Sequence, residues 1–263
     1  MICGLPRSGS TLLSNIMAQH PHVHTTPTSA CHEALFVLRN SWNQWLEHKA
    51  SKELAGDENL QRVLNATLHA YHDTDKPVII DKGRGWTSLL EMAEFALGRQ
   101  AKILVPVRNI SQIVASMEKL HRKEAHKRGD VGDYIEAQSV RGRANVTLDK
   151  SGVLGLAYNR LKDVAQRGLA DRLLLVEFDA LTSKPAETMA QVWDFLGMKA
   201  PKHDFNNVAQ ATTEDDSVHG LDLHTIRQEV KPVVDDSEDI LGTELCQTLA
   251  GAEFWRPAAP SNQ

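Results

Sequence analysis

The segment Gly4–Thr11, with the spacing G-x-x-x-x-G-S-T, constrains this chain most. Residues 1–4 can form a short strand and helical periodicity begins at about Ser10, so the segment reads as a strand-to-helix turn. A helix N-terminus carries unpaired N–H groups and a partial positive charge, and glycine lets the backbone close around an anion. The segment therefore predicts a phosphate-binding loop. The predicted phosphate ligands are Arg7, Ser8, Gly9, Ser10, Thr11 and Leu12.

The loop differs from that of nucleoside-triphosphate enzymes at one position. Those enzymes have a lysine where Ser10 stands, and that lysine reaches the terminal phosphates. Its absence weighs against an ATPase, a GTPase or a kinase, and the basic residue inside the loop is Arg7 instead. A nucleotide or nucleoside kinase with a degenerate loop remains an alternative, as does a non-catalytic nucleotide-binding protein.

The rest of the chain alternates predicted strands with predicted helices. Buried strands are predicted at Pro77–Asp81, Lys102–Val107 and Arg172–Phe178. The pattern favours an α/β fold like that of P-loop NTPases, with three α/β/α layers around a mostly parallel sheet of four or five strands. We expect one domain over residues 1–250 and a frayed tail over 251–263. The main predicted helices are Ala30–Lys49, Asn59–His72, Trp86–Leu97, Asn109–Leu120, Val153–Arg167, Pro185–Leu196 and Asp239–Leu249.

Composition excludes several classes of function. A net charge of −5 over 263 residues provides no cationic excess for a protein that binds nucleic acid by neutralising phosphates. The three cysteines are far apart and show no metal-binding spacing, so we expect reduced thiols and no metal site. No apolar run approaches the roughly 20 residues that span a bilayer. These features predict a cytoplasmic protein with no membrane partner; they do not predict its oligomeric state.

A second anion site is predicted where another strand ends. Arg108 follows the strand Lys102–Val107, and Ser116 lies eight residues further on, in the next helix. The guanidinium group offers forked donors to a phosphate, and the serine hydroxyl can add another.

Together these two motifs resemble the cofactor site of sulfotransferases that use 3′-phosphoadenosine 5′-phosphosulfate (PAPS). The string Pro6–Leu13 resembles their 5′-phosphosulfate loop, particularly in the Golgi carbohydrate and tyrosylprotein branches. Arg108 and Ser116 resemble their 3′-phosphate site. The resemblance implies PAPS as co-substrate, 3′,5′-bisphosphate (PAP) as product, and no metal. It also implies a hydroxyl or amine acceptor on a small molecule or carbohydrate, which the sequence does not identify.

Two later segments resemble other parts of the same family. Val176–Leu181 resembles a strand-end motif written Tyr-Glu-x-Leu, with Phe178 in place of the tyrosine, which implies stacking on adenine. His224–Pro232 resembles the segment that covers the cofactor in tyrosylprotein sulfotransferases. The resemblance implies that Lys231 contacts the phosphates, and Arg227 is a second candidate by its position.

The expected catalytic lysine is Lys82. Asp81–Arg84 resembles the family segment (Asp/Glu/Asn)-Lys-x-(Pro/Arg), whose lysine sits in the active site. Sulfuryl transfer is an in-line displacement in which negative charge grows on the leaving phosphate, so electrostatic stabilisation should dominate catalysis. We expect Lys82 to provide that stabilisation together with Arg7.

The general base is less clearly marked. Aligned from Arg7, the glutamate of tyrosylprotein sulfotransferases falls on Thr28, which cannot act as a base. The string His32–Phe36 resembles the Lys-Glu-x-x-Phe segment of heparan sulfate sulfotransferases, which makes Glu33 the expected base with His32 beside it. An acid in the first turn of a helix is also stabilised by the helix dipole and needs no other role. The alternatives are Asp81, His219, Asp222 and His224.

Overall fold

The computed structural model describes residues 1–124, 138–219 and 223–256. Its strands are β1 Val23–Thr28, β2 Val78–Lys82, β3 Ile103–Val107 and β4 Leu173–Glu177. Short 3₁₀ helices cover Ala170–Arg172 and Asp216–His219. The α-helices are α1 Ser10–Met17, α2 Cys31–Trp42, α3 Leu46–Ala50, α4 Lys52–Ala55, α5 Asp57–Ala70, α6 Leu90–Leu97, α7 Ile110–Glu124, α8 Val140–Leu148, α9 Val153–Gln166, α10 Phe178–Ser183, α11 Pro185–Leu196, α12 Ser237–Leu241 and α13 Thr243–Leu249.

The N-terminal segment joins two pairs of parallel strands into one sheet. β1 pairs with β2 and β3 pairs with β4, both in parallel. Ile2 forms parallel bridges to Lys82 on one side and to Leu104 on the other. Its N–H donates to the Asp81 carbonyl at 2.8 Å. The spatial order is therefore β1, β2, the N-terminal segment, β3 and β4, which confirms the predicted parallel α/β fold.

The centre of the sheet is buried on both faces, which explains why the sequence of β3 is apolar throughout. All five of its residues are buried. Ile103, Val105 and Val107 contribute to one apolar cluster, whereas Leu104 belongs to a second cluster with Ile2. Successive side chains of a strand point to opposite faces of the sheet. The side chains of β3 therefore pack alternately against the helical layers on its two sides.

The sequence did not predict β1. Its six residues, VHTTPT, include Val23 as the only aliphatic side chain and a proline at position 27. Within the described part of the chain the strand pairs only with β2, so it lies at the edge of the sheet, where a proline is tolerated. Polar threonines at a sheet edge give no apolar run, so a sequence pattern does not reveal such a strand.

Other differences concern the ends of helices. The predicted helix Ala30–Lys49 is two helices, α2 and α3, and the predicted helix Asp239–Leu249 is divided at Gly242, which has φ 83°. Residues 122–124 at the end of α7 and the whole of α8 lie outside the helices that the sequence predicts.

The first residues of the predicted frayed tail are packed on the domain. Glu253 is buried, and its Oε1 accepts a hydrogen bond from the N–H of Ile110 at 2.7 Å, at the start of α7. Arg256 forms an ion pair with Glu177 at 2.6 Å. These contacts differ from the expectation for residues 251–256, and residues 257–263 lie outside the described part of the chain. Among the described helices, none is both long enough and apolar enough to cross a membrane.

Gly4 provides a test of the contact between the N-terminal segment and β3. A Cβ atom at Gly4 would lie 2.5 Å from the carbonyl oxygen of Pro106, so a side chain must displace backbone. We expect Gly4→Ala to lower the free energy of unfolding by about 1–3 kcal/mol in urea titrations. In the control Gly56→Ala the new Cβ would lie 3.6 Å from its nearest neighbour. This variant should change the free energy of unfolding by less than about 0.5 kcal/mol. Equal losses in both variants would contradict this packing.

Candidate active site

A cavity of about 590 Å³ opens at the carboxyl ends of the strands. In open α/β sheets this edge is where ligands bind. The wall brings together most of the residues that the sequence predicted for the site. Those lining residues are Arg7, Gly9, Ser10, Thr11, Leu12, Lys82, Arg108, Ser116, Phe178, Arg227 and Lys231.

The predicted phosphate loop has an unusual backbone. Gly9 has φ 87° and directly precedes α1, and Arg7 has φ 57°, a left-handed conformation that non-glycine residues rarely adopt. Ser8 is fully buried rather than exposed to the cavity, and its hydroxyl lies 2.8 Å from the Pro106 carbonyl oxygen. The loop is thus fastened to the end of β3. Such strain persists only where surrounding contacts impose it, and it is frequent at functional sites.

The two predicted phosphate sites meet at Arg7. Its Nε donates to Ser116 Oγ at 3.2 Å, and its carbonyl oxygen lies 3.4 Å from Nη1 of Arg108. Arg108 also donates to Gln112 at 2.8 Å and lies 4.3 Å from the centre of the Phe178 ring. Phe178 also packs against the loop, because a Cβ at Gly9 would lie 2.7 Å from its ring.

A segment from the C-terminal third covers this end of the cavity. Nη1 of Arg7 donates to the carbonyl oxygen of Leu223 at 2.7 Å. Arg227 and Lys231 line the cavity from the same segment, and the ammonium group of Lys231 lies 2.6 Å from Glu229. The segment therefore adds two cationic side chains to Arg7 of the loop and to Arg108, which follows β3.

Lys82 lies at the opposite side of the loop, at the end of β2. Its Nζ is 3.3 Å from Thr11 Oγ1 and 2.6 Å from Glu214 Oε1, and the side chain is only 6% exposed. Burial lowers the pKa of Lys82, and the hydrogen bond and charge of Glu214 oppose that shift. The position next to the phosphate loop fits a cation that stabilises a leaving phosphate.

Sequence reasoning missed Glu214, which does not itself line the cavity but contacts three residues that do, namely Thr28, Lys82 and His224. Its Oε1 accepts hydrogen bonds from the N–H of Thr28 at 2.9 Å and from the Thr28 hydroxyl at 3.1 Å. Its Oε2 lies 3.3 Å from Nε2 of His224, whose Nδ1 lies 2.5 Å from Asp216. Burial raises the pKa of Glu214, but the hydrogen bonds from Lys82 and Thr28 outweigh burial and hold it below its usual value.

The sequence does not indicate a functional role for Glu214, because this residue belongs to no recognisable motif. It begins the acidic run Glu214–Asp216 in a loop, and an exposed acidic run is ordinarily a solvated surface. The one available signal was the histidine that follows this run at position 224, because an acid beside a histidine is a common catalytic pairing. Tertiary structure alone brings the glutamate to Thr28.

The structure places the expected base outside the cavity lining. The Glu33 side chain is 63% exposed and lies 3.4 Å from Nε2 of His32. His32 itself is buried against the backbone of the loop that follows Lys82, where a Cβ at Gly85 would meet its ring at 2.1 Å. His32 thus supports the shape of that loop, and neither residue lines the cavity.

Of the four alternative bases, the structure describes the side chains of two, and these two lie in different places. Asp81 is buried behind the cavity, where it accepts a hydrogen bond from Trp86 at 2.6 Å. His224 lines the cavity. The backbone of His219 ends a 3₁₀ helix, whereas its side chain and the whole of Asp222 lie outside the described residues.

Comparison with known proteins gives the family. The model of the sulfotransferase family matches residues 1–202, and the chain therefore belongs to that family. Among curated protein sequences, none matches this chain significantly.

Solved structures show the same fold. The sulfotransferase domain of the olefin synthase of Synechococcus PCC 7002 is 19% identical, with a TM-score of 0.53, over 95% of this chain and 93% of that one. The sulfotransferase domain from the curacin biosynthetic pathway is 16% identical, with a TM-score of 0.50, over 95% of each chain. The P-loop-like α/β architecture predicted from the sequence is thus that of sulfotransferases.

The contact between Lys82 and Glu214 predicts how the pKa of Lys82 changes when Glu214 is replaced. Glu214→Gln removes the charge that opposes the effect of burial, so the pKa of Lys82 should fall further and its ammonium group should lose its proton at a lower pH. NMR of labelled lysine side chains can follow this titration. The control Glu229→Gln removes the partner of Lys231 and should leave Lys82 unchanged. An unaltered Lys82 titration in Glu214→Gln would contradict the described ion pair.

Proposed function

We propose that this protein transfers a sulfuryl group from PAPS to a hydroxyl or amine of a small-molecule or carbohydrate acceptor. One observation carries the proposal. A single cavity contains the predicted phosphate loop and has a cationic side chain on each side of it. Arg108, with the Ser116 hydroxyl nearby, lies on one side and Lys82 on the other. PAPS has the matching form, because its adenosine carries a 3′-phosphate and a 5′-phosphosulfate.

The 3′-phosphate distinguishes PAPS from ordinary adenine nucleotides, and Arg108 with Ser116 would bind it. Arg7 contacts Ser116 directly, so we assign its side chain to this same phosphate, whereas the sequence suggested the leaving phosphate. Phe178 would contact the adenine, with Arg108 already against its ring. The cationic side chains of Arg227 and Lys231 would close over the phosphates from the covering segment.

The 5′-phosphosulfate would lie on the N–H groups from Ser8 to Leu12, at the start of α1. In the reaction the acceptor oxygen or nitrogen attacks sulfur in line and a new bond to sulfur forms. The bond from sulfur to the bridging oxygen breaks, and its electron pair stays on the 5′-phosphate of PAP. Lys82, next to Thr11, would stabilise that charge as it develops.

The acceptor must lose a proton, and we assign Glu214 as the general base. Thr28 occupies the position that is glutamate in tyrosylprotein sulfotransferases, and it donates both its N–H and its hydroxyl to the carboxylate of Glu214. A distant part of the chain thus supplies a carboxylate where Thr28 has none. Asp216 and His224 would hold Glu214 in position from its other oxygen.

The ion pair with Lys82 defines when Glu214 can act. In the described structure Lys82 occupies Oε1 of Glu214 at 2.6 Å. When Lys82 turns to the leaving phosphate, Oε1 keeps its two hydrogen bonds from Thr28, and the carboxylate loses the cation that helps to depress its pKa. Donor binding would therefore prepare both groups, because the lysine gains an anionic partner and the carboxylate becomes a better base.

Nucleotide binding tests the donor. PAP should raise the melting temperature of the protein more than ATP does at equal concentration, because only PAP carries the 3′-phosphate. Arg108→Gln should weaken PAP binding about 10- to 100-fold, as expected for the loss of a charged hydrogen-bonding group. The control Arg62→Gln alters an exposed arginine of α5 and should have no effect. Equal stabilisation by ATP, or unchanged PAP binding in Arg108→Gln, would contradict the proposed donor.

Turnover tests the base. Radiolabelled PAPS offered with hydroxyl and amine acceptors should give labelled products, and Glu214→Gln should lower kcat about 10²- to 10⁴-fold while PAP affinity is retained. Glu33→Gln is the matched control, since it alters the glutamate that the sequence favoured and should leave kcat within about twofold, as for a surface substitution. A loss confined to Glu33→Gln would overturn the assignment of Glu214. PAP binding without transfer to any acceptor would favour a non-catalytic nucleotide-binding protein.

A further inference from the structure

Three potential metal ligands meet behind the active-site lysine. Cys31 is the first residue of α2, His72 follows the end of α5, and Asp81 lies in β2, immediately before Lys82. One ligand atom from each of these three residues lies within 4.8 Å of the other two. Cys31 is fully buried and Asp81 is 6% exposed. The His72 side chain is 9% exposed.

We propose that Cys31, His72 and Asp81 bind a divalent transition-metal ion of the zinc type. A thiolate, an imidazole and a carboxylate form a mixed set of donors that suits a borderline-soft ion, whereas Mg²⁺ and Ca²⁺ prefer oxygen ligands. In tetrahedral zinc sites the ligands lie about 2.0–2.3 Å from the metal. The ligand atoms are already close enough that modest side-chain rotation would bring them to such distances.

The surroundings of Asp81 resemble the outer shell of a metal site. The indole N–H of Trp86 donates to Oδ1 at 2.6 Å, and the hydroxyl of Ser29 donates to Oδ2. Hydrogen bonds of this kind orient a carboxylate ligand and fix which lone pairs face the metal. Ser29 also accepts a hydrogen bond from the N–H of Cys31 at 3.2 Å, so one hydroxyl connects two of the proposed ligands.

The charge of the site also favours a cation. His72 lies two residues beyond the end of α5, where the helix dipole is negative. Its Nε2 is 2.8 Å from Oδ2 of Asp81, so two of the proposed ligand atoms already lie side by side. On binding, the Cys31 thiol would lose its proton to solvent as the sulfur–metal bond forms, and His72 would bind as the neutral imidazole. The fourth ligand would be water or His24, whose ring centre lies 6.2 Å from that of His72.

The proposed role is structural. The ion would fasten the start of α2 and the end of α5 to the end of β2, directly beside Lys82. No step of the proposed sulfuryl transfer passes through it, so the inference does not depend on PAPS as the donor. It departs from the sequence expectation of no metal, which rested on the spacing of the cysteines and on the family resemblance.

Metal binding by the whole chain tests this site. After chelation and dialysis, the protein titrated with Co²⁺ should bind one equivalent and develop a thiolate-to-cobalt charge-transfer band in the near ultraviolet. Zn²⁺ at 100 times its Kd should displace cobalt and raise the melting temperature by roughly 5–10 °C. Cys31→Ser should abolish the band, and His72→Gln should weaken binding at least about tenfold.

Matched variants distinguish this site from incidental binding. Cys246→Ser changes a cysteine far from the cluster, and His69→Gln changes an exposed histidine of α5; both should bind cobalt as the wild type does. Should Cys31→Ser fail to fold, as judged by circular dichroism, His72→Gln alone decides. The proposal is overturned if the wild type binds less than stoichiometric metal, or if His72→Gln binds it as tightly as the wild type.

Discussion

The site depends on the insertion of the first five residues between β2 and β3. Ile2 bridges Lys82 on one side and Leu104 on the other, and Leu5 donates to the Pro106 carbonyl at 3.0 Å. These parallel hydrogen bonds fix the phosphate loop at the same edge of the sheet where β2 and β3 end. Lys82 and Arg108 consequently flank the loop on opposite sides. A shift of one residue in this register would turn the side chains at the strand ends to the other face.

The cavity is strongly cationic, and a few acids regulate its charge. Glu214 pairs with the buried Lys82, and this pairing offsets part of the free-energy cost of burying an ammonium group. An anionic donor can replace that carboxylate as the partner of the lysine. The same exchange of partners would activate Glu214 as a base, so one ion pair connects donor binding with proton removal.

Sequence alone could predict the parts of the site that local motifs define. The loop around Gly9, Lys82 as the last residue of β2, and Arg108 directly after β3 all lie at strand ends, and Ser116 follows in α7. Their position relative to the sheet follows from the fold class, because the carboxyl ends of parallel strands meet at one edge. Glu214 could not be predicted in the same way, since only tertiary folding of an irregular loop brings it to Thr28.

The other differences between the sequence-based expectations and the structure have the same physical cause, which is tertiary packing. β1 contains too few apolar residues to be predicted as a strand, and pairing with β2 determines its structure. Glu33 fits a family motif along the sequence, but α2 exposes it at the protein surface. The cluster of Cys31, His72 and Asp81 combines residues that share no local spacing, so only the assembled fold reveals it.

A crystal structure with bound PAP tests the central claim most directly. We expect the 5′-phosphate to bind the N–H groups at the start of α1. We also expect the 3′-phosphate to lie within hydrogen-bonding distance of both the Arg108 guanidinium and the Ser116 hydroxyl. A nucleotide bound in the reverse direction, or with its 3′-phosphate beyond the reach of Arg108, would contradict the account.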